Sequence, residues 1–256
     1  MNGRWALAGA AAGLACGLVA FAPAAWLGNA VSAASGGQVQ LLDPRGTVWQ
    51  GSAQMVLSAG EGSTGATALP GRLEWTLALR PRSLQLRLLA DCCTPAPLVL
   101  DFQPAWRGWA VAAGDGNSHW PAALLVGLGA PWNTVQVQGQ LHFSTQSLSV
   151  ESVEGRIRLA GSAQLDALDM SSRLSTLKPI GSYRLRLAGN VQNTPPSLLL
   201  ETLEGSLRLS GVGQWTGSGW RFQGEASAAP ERETALGNLL NMVGRREGAK
   251  SVITLG

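Results

Sequence analysis

Residues 154–165 (EGRIRLAGSAQL) return fifty positions later as residues 204–215 (EGSLRLSGVGQW), with six of the twelve positions identical. The correspondence reaches upstream, pairing Gly139 with Gly189, Ser147 and Leu148 with Ser197 and Leu198, and Glu151 with Glu201, so that 137–165 and 187–215 read as two copies of one unit. A fixed offset of this kind marks a repeated supersecondary unit, which buries its apolar face only by stacking on a neighbour. Within the copies Ile157 and Leu159 alternate with Arg156 and Arg158, and Leu207 and Leu209 with Ser206 and Arg208. A period of two is the pattern of a strand with one buried face, and Glu-Gly at 154–155 and 204–205 suits a turn between paired strands. A fainter echo near the start shares Gly-Ser-Ala-Gln between 51–54 and 161–164. The expected fold is mainly β: a curved antiparallel sheet built from repeated strand units, with one or two short helices and an N-terminal transmembrane helix.

That last element rests on charge. No charged residue occurs between Arg4 and Asp43, and the stretch from Trp5 to Leu27 is almost wholly apolar. Its length of 23 residues, at a rise of about 1.5 Å per residue, is enough to cross a hydrocarbon layer of ~30 Å. The expected anchor residues are Trp5, Leu7, Leu14, Leu18, Val19, Phe21, Trp26 and Leu27, with the two tryptophans at the interfaces and Arg4 keeping the N-terminus cytoplasmic. A cleaved signal peptide is the competing reading, with Val31-Ser32-Ala33 as its cleavage site, but the apolar run exceeds the usual 7–15 residues of such a segment. The expected organisation is therefore an anchor over 1–28, a flexible linker over 29–40, and a β-rich domain outside the cytoplasm over 41–256, carrying the repeat.

Charged residues are only 14% of the chain, against roughly 25% in a typical soluble domain, and glycine is abundant at 33 residues. This suits many short strands and tight turns. The net charge of +3 with dispersed arginines gives no basic patch, which excludes nucleic acid as a partner.

Along the exported part, 41–57 reads as two short strands or one bulged strand, and 58–68 as a polar loop. Gly71 to Arg80 alternates Leu73, Trp75, Leu77 and Leu79 against polar positions, and Leu84, Leu86 and Leu88 continue the alternation. Two segments break the pattern. Ser118 to Leu128 predicts a short helix capped by Ser118. Glu231 to Val243 places Leu236, Leu239, Leu240 and Val243 on one helical face, with Gly244 as its stop, and a short strand follows over 251–255.

No catalytic constellation is present: no nucleophile elbow, no paired metal-binding histidines, no phosphate loop. Glu151 with Glu154, and Glu201 with Glu204, recur in both copies and so read as turn or solvent-face residues. Catalytic, cofactor-binding and metal-binding residues are all expected to be none, and no small-molecule ligand is expected. His119 and His142 stand alone. Cys16 reads as a small hydrophobe inside the anchor, and Cys92 and Cys93, being adjacent, are poorly placed to bridge each other and are read as an unassigned loop pair able to cross-link between chains.

Several motifs, in order and spacing, resemble the protein N family of the bacterial type II secretion system: the N-terminal anchor, Gly46-Thr-Val-Trp49-x-Gly51, Gly71-Arg-Leu-x-Trp75, and Leu177-Lys-Pro-Ile-Gly-Ser-Tyr183. The C-terminal third carries the most specific part, Gly205-x-Leu-x-Leu-x-Gly211-x-Gly213-x-Trp215, then Arg232-Glu-x-Ala-Leu236 and Asn238-Leu-Leu-Asn-x-x-Gly244-Arg. The resemblance implies a single-pass inner-membrane protein with a periplasmic domain, not an enzyme. It would be an accessory structural component of the apparatus that moves folded proteins from the periplasm across the outer membrane, with other secretion components as partners. The alternative is a periplasmic protein that handles lipid or another hydrophobic ligand in an open apolar β trough.

Overall fold

The computed structural model describes residues 3–60, 65–189 and 195–256, with side chains described from residue 8 onward. Two helices open the chain, α1 (Gly3–Ala20) and α2 (Ala24–Ala34). Strands β1 (Val39–Gly46), β2 (Gln50–Ser58), β3 (Ala66–Ala68), β4 (Leu73–Arg80) and β5 (Ser83–Ala90) follow. Next come β6 (Leu98–Ala105), β7 (Gly108–Ala113), β8 (Gly116–Pro121), a 3-10 helix (Ala122–Leu128) and α3 (Trp132–Val135). The second half holds β9 (Gln138–Val153), β10 (Arg156–Ser171), β11 (Gly181–Gly189), β12 (Ser197–Gly205), β13 (Leu207–Trp215) and β14 (Trp220–Ala228). Helix α4 (Glu233–Val243), β15 (Arg245–Glu247) and β16 (Lys250–Leu255) close it.

The 16 strands make one antiparallel sheet in the order β1-β2-β4-β5-β6-β7-β9-β10-β11-β12-β13-β14-β16-β15, with β3 beside β2 and β8 beside β9. The near-sequential order is that of a meander, in which each strand pairs with the one before it. The sheet is rolled. The 3-10 helix packs against both β2 and β9, which stand five places apart in the sheet. Flat, those strands would lie about 24 Å apart at ~4.8 Å per strand, beyond the reach of a seven-residue helix of ~14 Å.

Strand register puts one apolar face across nearly the whole sheet. Leu41 faces Met55, Ala53 faces Leu73, Trp75 faces Leu88, Leu86 faces Leu100 and Phe102 faces Val111. The series continues through Val111–Val150, Val150–Leu159, Ala163–Leu187, Leu187–Leu198 and Phe222–Leu255. Since successive side chains alternate faces, all of these point to the inside of the roll. Three groups of residues cover it. Helix α2 lays Ala24 and Leu27 on Ala53 and Trp75. The 3-10 helix sets Leu124 against Leu69, Ala90 and Cys93. Helix α4 sets Leu236, Leu239 and Leu240 onto Tyr183, Leu207 and Ala226, joined by Ala122, Met170 and Ile180. Each such leucine contributes roughly 1.5–3 kcal/mol by leaving water. Toward the β4–β5 and β6–β7 turns the same face is open: Leu79 is 73% exposed, and Phe102 and Trp109 are also solvent-accessible.

Helix α4 matches the periodicity read from sequence, although Gly244 leaves it in an extended conformation rather than a left-handed one. The Ser118 segment does not. Ser118 is a buried residue of β8 whose hydroxyl accepts from Trp120 Nε1, and Pro121 precedes the helix instead. The loop expected over 58–68 holds β3, with residues 61–64 outside the described residues.

The two sequence copies fold as hairpins of different register. In β9–β10, Glu154 and Gly155 take positive φ values of 52° and 79°, a tight two-residue turn, and Val150 faces Leu159. At the equivalent place in β12–β13, Leu200 faces Gly211 instead of Leu209. Thr202 Oγ1 spans the widened gap, accepting from Leu209 N and donating to Leu209 O, while Ser206 and Leu207 donate their N–H groups to Ile180 O. The shared glycine of the repeat serves two purposes. Gly161 has a φ of 80° at a bulge, where an added Cβ would collide with Ser147 O; at Gly211 it would collide with the Phe222 ring.

The largest correction concerns the N-terminus. The span expected over 5–27 is not one helix, and no helix among the described residues is long and apolar enough to cross a membrane. Pro23 lacks a backbone N–H and holds its predecessor out of the α region, so the helix stops. Ala22 O then accepts from Val48 N, and Pro23 forms a β-bridge with Thr47. The stretch expected as a linker over 29–40 contains the second half of α2, a turn and the start of β1.

Candidate interaction surfaces

Three surfaces carry the residues singled out by the sequence. The first is α1. Apart from Gly17, every residue from 8 to 20 is exposed, so the helix stands off the domain; Leu14, Leu18, Val19 and Phe21 are each more than half exposed. Cys16, expected as a buried hydrophobe, is exposed here. The side chains of Trp5 and Leu7 lie outside the described residues. The remaining anchor residues separate: Trp26 is 55% exposed on α2, whereas Leu27 faces the domain core. The base of α1 is tied to the sheet by Trp49 Nε1, which donates to Val19 O at 2.8 Å. Nothing in the spacing of Trp49 signals this bond. Gly28 lies close against β1, where a Cβ would sit 3.4 Å from Leu41 O.

The second surface is the polar side of the sheet. Arg184 grips Asp166 with two hydrogen bonds of 2.8 Å, from Nε and Nη2, and Gln164 also donates to Asp166 at 3.1 Å. The Arg184 bonds hold the Asp166 carboxyl below the ordinary carboxylate range, against the opposing effect of burial. The same pair pushes Arg184 further up. Arg45 and Arg72 likewise hold Asp43 down. On the inner face, burial pushes up the hydroxyl of Tyr183, which donates to Leu207 O at 3.1 Å.

The carboxylate pairs of the repeat do not converge into an acid–base site. Glu154 is salt-bridged to Arg107 at 2.9 Å, and Glu204 accepts from Ser182 at 3.3 Å. Among the described residues, no group of three or more His, Cys, Asp or Glu could hold a metal. Two expectations are corrected nearby. His119 and His142 do not stand alone: they face each other across β8 and β9, edge to face at 4.2 Å. Cys92 and Cys93 are bonded to each other as a disulfide in the β5–β6 turn, where Cys93 and Thr94 donate to Ala90 O. No sequence signal distinguishes this pair from two free thiols.

The third surface is a groove of about 680 Å³ where β10 runs past the end of β11. Pairing with β11 begins only at Gly161, so among the described residues 156–160 of β10 have a strand partner on one side alone. Ile157, Leu159, Pro195, Pro196 and Trp215 line it, with Arg156 and Arg158 at its rim. Trp215 packs edge to face on Trp220 at 5.7 Å, and its Nε1–H is shielded from solvent without an acceptor. A buried donor left unpaired costs about 1–3 kcal/mol, so such groups are rare in a finished structure.

In comparisons with known proteins, no curated protein and no solved structure matches this chain. A family model does: type II secretion system (T2SS), protein N, matches residues 37–254. That range runs from β1 into β16, the rolled sheet with α4 and the 3-10 helix, and it contains the groove. The chain belongs to the type II secretion system protein N family.

Proposed function

We propose that this protein is an accessory, non-catalytic component of the type II secretion machinery, held at the bacterial inner membrane by α1, which works by binding partners on its periplasmic sheet. The observation that carries this reading is the packing of α2. Ala24 is 1% exposed against Ala53 and Trp75, with Leu27 beside it, so the segment just after α1 is part of the domain core. Cleavage after Ala33 would strip those residues from the core. That supports a retained N-terminus over a removed signal peptide. The division that fits is a membrane segment ending near residue 21 and a domain over 22–256.

Helix α1 as described falls short of a full span by itself, and the proposed tether rests on its exposed apolar residues Leu14, Leu18 and Val19 and on the uncharged run that begins at Trp5. Arg4 at its start favours a cytoplasmic N-terminus. The apolar inside of the roll is occupied by α2, the 3-10 helix and α4 over much of its extent, which favours an interaction scaffold over an open lipid trough.

The test is the intact mass of protein extracted with detergent from membranes washed with alkaline carbonate. A full-length chain that stays in the washed membrane is expected. A mature chain beginning near Ala34, or one released by the wash, overturns the tether.

A further inference from the structure

The end of the roll that carries α1 differs in chemistry from the opposite end. Trp49 Nε1 donates to Val19 O and Val48 N to Ala22 O, which fixes the foot of α1 at the β1–β2 turn. Leu77 of β4 donates its N–H to Trp49 O, and β4 runs on for three residues past that point, roughly 10 Å, to Arg80. Strand β6 reaches further still: Phe102 faces Leu84 beside the β4–β5 turn, and β6 continues to Ala105 before turning at Trp106 and Arg107. Two neighbouring hairpin tips therefore project beyond the foot of α1. Their side chains are apolar where the core no longer covers them. Leu79 faces Leu84, Leu84 faces Phe102, and Pro104 faces Trp109, so all of these share the inner face. Leu79, Phe102 and Trp109 are exposed, and Trp106 at the tip is 99% exposed. The described residues packed beneath α2, the 3-10 helix and α4 include none of them. An exposed apolar patch rimmed by polar residues marks a protein or membrane contact. Charge decides which. Arg80, Arg82 and Arg107 stand at these two tips, whereas the turns at the opposite ends of β5, β6 and β7 (91–97 and 114–115) carry Asp91 and Asp115 and no basic residue. Arg107 is paired with Glu154, but Arg80 and Arg82 form no ion pair among the described residues.

We propose that the β4–β5 and β6–β7 tips form a membrane-contacting surface, with Leu79 and Trp106 set into the headgroup region of an anionic phospholipid bilayer and Arg80, Arg82 and Arg107 on its phosphates. The proposal rests on the reading of α1 as a membrane tether, because α1 brings this end of the roll to the bilayer. Tryptophan suits that boundary, having an apolar ring and an N–H that stays in contact with polar groups. Anionic headgroups attract the basic tips, while Asp91 and Asp115 lie at the far ends of the same strands, away from the lipid. The contact fixes the orientation of the domain. It covers the exposed apolar end of the inner face and leaves the polar outer face of the sheet free for protein partners.

The test uses the purified full chain reconstituted into vesicles of phosphatidylethanolamine and phosphatidylglycerol, with a small fraction of a phospholipid carrying a photoreactive diazirine near its headgroup. Adducts are mapped by mass spectrometry. The expected result is labelling of α1 and of residues 79–82 and 102–109, with none above background at 91–97 and 114–115. The triple variant Arg80→Gln/Arg82→Gln/Trp106→Ser alters only exposed side chains and leaves the core intact. It is expected to lower labelling of the tips at least about fivefold, the worth of one arginine near an anionic surface, with labelling of α1 unchanged. Labelling of α1 with none at the tips overturns the proposal, leaves the tether standing and assigns the patch to a protein partner. Tip labelling that the variant does not lower overturns the roles given to these three side chains. Labelling of neither α1 nor the tips overturns the tether and this proposal with it.

Discussion

Replacing Leu236 with alanine is the sharpest probe of what α4 does. Leu236 is 0% exposed, wedged between α4 and the inner face of the sheet near Tyr183 and Leu207. The change removes three carbon atoms, worth about 2.4 kcal/mol of transfer free energy at ~0.8 kcal/mol per buried methylene. If half of the lost volume stays as a cavity of roughly 40 Å³, a further ~1 kcal/mol follows at about 24 cal/mol per Å³. The total of about 3–4 kcal/mol is a large share of the 5–15 kcal/mol that typically holds a domain together. Urea unfolding of the full chain in detergent, followed by tryptophan fluorescence, reads it out as a lower midpoint at unchanged slope. The control is Met242→Ala on the same helix, 41% exposed, expected to lose about 1 kcal/mol or less. Equal losses at Leu236 and Met242 would refute the account of α4 as the cover of this end of the roll.

Leu207→Asp should unfold or severely destabilise the domain, since Leu207 is 3% exposed and a buried unpaired carboxylate costs several kcal/mol, while Arg208→Asp on the other face should be mild; melting temperatures decide. Asp166 has its pKa lowered in the folded state by Arg184, so its contribution is fully present above the ordinary carboxylate pKa of about 3.9 and is lost as pH falls through the lowered value. An Arg184→Gln variant should lose part of that acid dependence, and superimposable stability–pH curves for the two proteins would contradict the pairing. Alkylation of the unfolded, unreduced protein should label Cys16 alone, and all three cysteines after reduction, as mass spectrometry will show.

How legible each element was depends on the range of the interaction that sets it. Local periodicity sufficed where one face meets the core. The alternation at 73–79 is β4, and the i, i+3, i+4 leucines at 236–240 are the buried side of α4. The Glu154-Gly155 turn followed from its residues, but its partner at Glu204-Gly205 did not: Gly205 faces Gly181, and the Ile180 carbonyl takes the next two N–H groups, competing with a closed hairpin. The apolar run at the N-terminus reads as one continuous helix and folds as two. One proline, held by a β-bridge to Thr47, divides it, and the small residues Ala24 and Gly28 that follow are shaped for close approach to the sheet. The groove was invisible from sequence, because it depends on how β10 and β11 are registered, with Gly161 set opposite Gly189.

The central claim, that the protein acts by holding other secretion components, is tested most directly by in-cell photo-crosslinking of the full chain. The probe residue would replace Leu42 on β1 and Arg246 on β15, the two outer strands of the sheet, and Arg158 at the groove, all exposed positions. The account predicts covalent adducts with other proteins of the secretion apparatus, identified by mass, from at least one of these sites. Adducts with phospholipid alone, and with no secretion component at any of the three, would contradict it.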